Sequence, residues 1–221
     1  MKKNLRIIAV ALLIVNNGYS QSKISGVTLP PKLGFNETVR TFTGEGIREK
    51  YFVRVYVLGL YMSEQSKDPE VIINADKPMS VRLQIISSML TGETMARYIR
   101  EGFSRSLNNN TKPIEEEINL ICQVFSSETT KVGDVYDIHY SPGVGISASK
   151  NSKPYSFTSL NTTAKSTTIN STDLKKNMKT LNYTKSGQAA IPGLEFKKAL
   201  FGIWFSKNPV DSKLKEQIIK Y

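Results

Sequence analysis

The chain has 221 residues, 39% hydrophobic and 22% charged, and its 30 Lys and Arg outnumber 19 Asp and Glu to give a formal net charge of +11. That size and composition suit one domain with its own core and exclude disorder throughout. A single Cys and a single His exclude an internal disulfide and a His-rich metal site, and no helix-turn-helix, zinc-knuckle or aromatic motif makes nucleic acid the expected partner of the positive charge.

The first residues carry Lys2, Lys3 and Arg6, then an apolar run from Ile7 to Val15, then small or polar residues up to Ser20. This order reads as a secretory signal peptide over residues 1–20, too short in its apolar part for a stable membrane anchor. The expected mature product starts at Gln21, is periplasmic or secreted, and forms one domain over 21–221. Residues 23–36, with Gly26, Pro30, Pro31 and Gly34, read as an irregular lead-in.

Alternation of period two begins at Thr38, and Gly44 and Gly46 favour a turn or bulge. From Tyr51 to Met62 both faces are largely apolar, Val53, Val55 and Val57 on one and Phe52, Tyr56 and Leu58 on the other, as in a central strand covered on both sides. Arg54 falls on the face of Tyr56, where a guanidinium beside a phenol would hold a carboxylate or phenolate by charge-assisted hydrogen bonds. The alternative is a pair with Glu49 or Asp137, or a charge at the rim. A turn at Glu49–Lys50 would bring Arg48 back beside the same strand.

Met79–Ser87 predicts a second strand. Thr91 is the expected N-cap of a helix to about Leu107, with Met95, Tyr98, Ile99, Gly102 and Phe103 inward. Pro113 and Glu115–Glu117 open another helix, whose stripe includes Cys122 as a buried, inert thiol. Strands follow at 134–141 and 144–150, joined through Pro142 and Gly143. Gly143–Gly145 precede a strand rather than a helix, so they do not form a phosphate-cradling loop. His139, alone in a strand, reads as a structural or surface imidazole.

Residues 150–185 are rich in Ser, Thr, Asn and Lys and read as a polar surface insertion, with ribbon strands near 154–160 and 180–185. Phe196, Ala199, Leu200 and Ile203 give a helix stopped before Asn208-Pro209, and a last helix begins at Asp211 or Ser212 with Leu214 and Ile218 inward. Strands, two helices, strands and two helices predict an α+β fold with helices stacked on an antiparallel sheet.

Three motifs occur in order: G-x-G-x-R-x-K before a V-Y-x-x-G-L-Y strand (Gly44 to Tyr61), Y-x-P-G-x-G (Tyr140 to Gly145), and I-P-G-x-x-F, A-L-x-x-I-W and P-V-D-x-x-L-K (Ile191 to Lys215). Together they resemble the chalcone isomerase-like family, in particular its bacterial exported branch, over nearly the whole chain outside 150–185. The resemblance implies an open-faced β-sandwich, a large antiparallel sheet with a layer of helices and a cleft between them. It also implies that Arg48 matches the arginine that grips a substrate oxyanion in the plant isomerases. Tyr56 stands where those enzymes use a Thr, and Met95, Tyr98 and Gly102 stand where they use Tyr, Lys and Asn, so most of the polar network for enone chemistry is missing. Plastid relatives bind fatty acids through an Arg and a Tyr without reaction, which Arg48 and Tyr56 resemble.

The reading is an exported, non-catalytic protein that binds a small hydrophobic acid or polyphenol-like ligand, such as a fatty acid, through Arg48, Tyr56, Arg54, Tyr98 and Met95. It needs no cofactor and no metal. The alternatives are an intramolecular lyase acting on a chalcone-like enone, and an envelope module that meets a protein partner through the 150–185 insertion.

Overall fold

The computed structural model describes residues 22–157 and 190–221. The expected signal peptide and the ribbon strand near 180–185 lie outside the described residues. Seven antiparallel strands form one sheet in sequence order: β3 (Lys32–Phe35), β4 (Thr38–Lys50), β5 (Val53–Met62), β6 (Met79–Ile85), β7 (Val135–Ser141), β8 (Gly145–Lys150) and β9 (Lys153–Pro154). A ribbon of β1 (Ser22–Ile24) and β2 (Val27–Leu29) stands apart from that sheet. The helices are α1 (Pro69–Asn74), α2 (Gly92–Ser106), α3 (Glu115–Ser126), α4 (Leu194–Phe205) and α5 (Ser212–Lys220).

Alternation divides the sheet into two faces. Tyr56, Leu58 and Leu60 of β5, Val81 and Leu83 of β6 and Ile138 of β7 share the main core with Phe103, Phe125, Phe196, Leu200 and Trp204 of the helices. Across the sheet, Val57 packs with Val27 and Leu29 of the ribbon. Residues 23–36 are therefore not irregular: Ser25 and Gly26, both at positive φ, close the β1–β2 hairpin, and β3 pairs with β4.

β4 runs unbroken through Gly44 and Gly46, with a bulge between Phe42 and Gly44 rather than a turn. Both glycines lie under α5. A Cβ at Gly44 would meet the Ile218 carbonyl oxygen at 2.2 Å, and one at Gly46 would meet Leu214 Cδ1 at 2.7 Å. The G-x-G pair thus lets α5 rest directly on the strand, and the Ile47 amide donates to Gln217 Oε1 at 2.7 Å. Gly145 has the same kind of reason: the Ile191 carbonyl oxygen would lie 2.1 Å from its Cβ, so the second and third motifs meet where Ile146 bridges Ile191.

The turn after β4 lies at Tyr51–Phe52, two residues beyond the expected Glu49–Lys50, since Lys50 pairs with Val53. Both turn residues have positive φ, 50° and 65°, which suits a two-residue hairpin but strains side chains larger than Gly, Asn or Asp. A second bulge, between Arg48 and Glu49, pairs Arg48 with Tyr56 and Glu49 with Arg54, leaving Val55 as the extra residue. One inserted residue inverts the alternation beyond it. Arg54 therefore leaves the covered face: its side chain is 60% exposed, with Nε 3.5 Å from Glu49 Oε1.

Most other expected elements form close to their sequence limits, but of the ribbon strand expected near 154–160 the described residues show strand only at Pro154, the end of β9, and α1 arises where no element was expected. Thr91 caps α2 by accepting from the Thr94 amide, and Asp211 caps α5 by accepting from the amides of Lys213 and Leu214. Cys122 is buried, and burial pushes its thiol up to about 11. His139 stacks on Phe35 with centroids 4.1 Å apart and meets Ser80 Oγ at 2.7 Å. Among the described residues no group of His, Cys, Asp or Glu could hold a metal ion, and no helix is long and apolar enough to cross a membrane.

Candidate functional site

The β4–β5 hairpin, β6, α2 and the end of α4 enclose a small cavity beneath the helix layer. Its wall includes Arg48, Lys50, Val55, Tyr56, Leu83, Met95, Tyr98 and Ile99. Glu101 stands at the rim, and Ile203 and Val210 complete the apolar side. Four of the five residues expected from sequence, Arg48, Tyr56, Tyr98 and Met95, thus share one space. Arg54 is the exception, because the bulge turns it to solvent. The same bulge aims both Val55 and Tyr56 inward.

The cavity is tight, about 20 Å³, or room for about one water molecule. A fatty-acid chain needs a pocket of roughly 300 Å³ or more, so binding one requires the wall to move apart. Met95, an unbranched and adaptable side chain, lies in that wall. Gly102, one turn beyond Tyr98, gives no polar group: a Cβ there would meet Ile203 Cγ2 at 2.7 Å, so its role is to let α2 approach α4.

Arg48 is the charged centre. Pairing across the hairpin places it opposite Tyr56, and its side chain is 13% exposed. Nη1 donates to Asp211 Oδ2 at 3.0 Å and also to the Glu49 carbonyl oxygen. Both bonds use one nitrogen, so Nη2 and Nε have no acceptor among the described residues. Asp211 is held there because α5 lies on Gly44 and Gly46, and its Oδ2 also accepts from the Glu49 amide at 3.3 Å. One carboxylate therefore caps a helix and neutralises the arginine of the cavity.

Tyr56 is buried, and its hydroxyl oxygen accepts from Trp204 Nε1 at 3.0 Å. Burial pushes its ionisation up to about 12, so near neutral pH it carries its proton. That O–H has no acceptor among the described residues and can donate to a ligand oxygen. At the rim, Lys50 Nζ lies 4.6 Å from the centre of the Tyr98 ring and 3.2 Å from Glu101 Oε2. The arrangement offers a cation and a neutral donor at the end of an apolar slot, which suits an anionic head on a carbon chain.

Asp211, Trp204, Lys50 and Glu101 were not singled out as site residues in the sequence. Asp211 and Trp204 do stand in the P-V-D and A-L-x-x-I-W segments. Lys50 ends the G-x-G-x-R-x-K motif, while Glu101 carries no local signal beyond its helix face.

The pattern of the chalcone isomerase-like family matches residues 21–159 and 156–219. The chain belongs to that family. No curated protein matches it in sequence at a significant level. Among solved structures it is similar to the fatty-acid binding protein AtFAP1 of Arabidopsis thaliana, with a TM-score of 0.61 and 13% identity over 90% of this chain and 96% of that one. At that identity the likeness concerns the fold, an antiparallel sheet backed by helices.

Proposed function

We propose that this is an exported, non-catalytic binding protein that takes a small amphipathic anion, such as a fatty acid, into the cleft between sheet and helices. The observation that carries the reading is Arg48: a guanidinium mostly withdrawn from water at an apolar slot, with two of its three nitrogens free of acceptors among the described residues. The ligand carboxylate takes a place beside or instead of Asp211 on Arg48 and accepts from the Tyr56 hydroxyl. Its carbon chain parts Val55, Leu83, Met95, Ile99 and Ile203. Tyr56, neutral up to high pH, serves as a donor rather than a base. The name of the similar Arabidopsis protein, a fatty-acid binding protein, supports the ligand class.

Export rests on the basic, apolar and small-residue order of residues 1–20 and accords with a family match that starts at residue 21. Native mass spectrometry of protein isolated from cells tests the binding role, with a co-purified acid of fatty-acid mass expected on the chain. A bare mass, together with no rise in melting temperature on adding laurate, would contradict it.

A further inference from the structure

The tip of the β4–β5 hairpin presents two aromatic rings to water: Tyr51 is 77% exposed and Phe52 104%. Both have left-handed φ values, a conformation that bulky residues rarely adopt. The other two-residue hairpins among the described residues use Ser25-Gly26, Asn36-Glu37 and Asn151-Ser152, each with a small or turn-forming residue first. Turn geometry explains neither ring; Lys50 Nζ lies 5.5 Å from the centre of the Tyr51 ring, yet that ring stays 77% exposed and Phe52 fully so.

Charge around the tip has a definite sign. Its acids are internally matched: Glu49 with Arg54, Glu101 with Lys50, and Asp211 with Arg48. That leaves Lys213, exposed and without an acceptor for its ammonium among the described residues, and Arg97, exposed beside the Tyr98 ring at 5.4 Å. An open groove of about 410 Å³, bounded by Arg48, Glu49, Tyr51, Phe52, Asp211 and Lys213, runs from the rings to the Arg48–Asp211 pair.

We infer that the Tyr51–Phe52 tip docks the protein onto an anionic lipid bilayer, the rings entering the interface and the basic residues facing its head groups. Aromatic rings favour that depth, and Lys and Arg gain from anionic lipid. Two rings bury roughly 150–250 Å² each, well below the roughly 800 Å² per partner of a stable protein interface, which favours a membrane over a protein. Docking turns the open groove toward the bilayer, so an acid leaving the lipid meets Arg48 first. The purpose assigned to docking rests on the ligand reading above, while docking itself does not.

The test uses the chain from Gln21 onward, which contains every described element, with vesicles of phosphatidylcholine alone or mixed with phosphatidylglycerol. Sedimentation should show binding to the anionic vesicles and little to the neutral ones. Tyr51→Asn with Phe52→Gly should lower binding about tenfold or more while melting at the same or higher temperature, because Asn-Gly suits the turn. In a Phe52→Trp variant, anionic vesicles should blue-shift the emission of the introduced indole, and brominated lipid should quench it. Absence of wild-type binding, equal binding to neutral vesicles, undiminished binding by the Asn-Gly variant or an unshifted emission spectrum from the Phe52→Trp variant would each overturn the inference. If vesicles bind and laurate gives the wild type no thermal shift, the ligand reading fails and docking stands.

Discussion

Two arginines on opposite faces of the same sheet show how differently one side chain can be used. Arg40 is wholly buried on the ribbon side. Its Nη1 donates to the carbonyl oxygens of Phe35 and Thr38, and its Nη2 to Tyr140 O and Ser141 Oγ. Burial lowers its ionisation to about 10. It acts as a clamp, tying the β3–β4 hairpin to the end of β7. Arg48 bonds through one nitrogen only, to a carboxylate that also caps a helix and to the Glu49 carbonyl oxygen. Arg40 spends both terminal nitrogens on the fold and leaves only its buried Nε unpartnered, whereas Arg48 keeps a terminal nitrogen spare beside an apolar slot, where it can receive a ligand.

The sharpest way to break the contrast is to remove each arginine. Arg40→Met strands several buried carbonyl oxygens and should cost roughly 3 kcal/mol or more, a fall in melting temperature of about 6–12 °C, read by thermal denaturation. A melt unchanged by that substitution would deny the clamp. Arg48→Gln leaves Asp211 with its backbone donors and should cost only about 1–2 kcal/mol of stability. Its affinity for laurate should fall about tenfold to a hundredfold by calorimetric titration.

The clamp side also carries an acid-sensitive group. His139 is held down to about 4, first by burial and then by the charges of Arg40 and Arg82, against the opposing pull of Asp137. Its folded value lies below its unfolded one, so the unfolded chain binds the extra proton. Stability is fully present above about pH 6.5 and should decline by roughly 3 kcal/mol as pH falls to about 4. Urea titrations at pH 7 and pH 4.5 would show this, and His139→Gln should flatten the difference. An equal decline in that variant would place the sensitivity elsewhere.

On the cleft side, Tyr56→Phe removes a donor to the ligand and an acceptor for Trp204 Nε1. About 1 kcal/mol of laurate affinity should be lost, near fivefold. Unchanged affinity would take the phenol out of the site.

Much of the scaffold was legible because its signals are local. Thr91 and Asp211 are N-cap residues that begin helices where expected, and the stripes of α2 and α3 follow helical spacing, whereas α4 is no one-sided helix but is buried on nearly every side from Phe196 to Phe205. The resemblance in three motifs gave the cleft and its Arg48–Tyr56 pair. Alternation puts Arg54 beside Tyr56, but a bulge is one extra residue that alternation cannot register, and Arg54 makes instead the Glu49 pair that the sequence left as the alternative. The strands at 22–35 were missed because β1, β2 and β3 are three or four residues long, too short for periodicity to register. Asp211 as the partner of Arg48 was out of reach: they lie 163 positions apart, joined only through the close seating of α5 on two glycines.

The central claim is that the Arg48 guanidinium receives the ligand's anionic head and that Asp211 competes for it. Asp211→Asn tests this most directly: its amide oxygen keeps the helix cap, while its NH2 replaces the charged Oδ2 that accepts from Arg48 and the Glu49 amide. Laurate titration should show affinity rising a fewfold, on the order of 0.5–1 kcal/mol, while Arg48→Gln loses it. Weaker binding in Asp211→Asn, or equal binding in all three proteins, would contradict the claim.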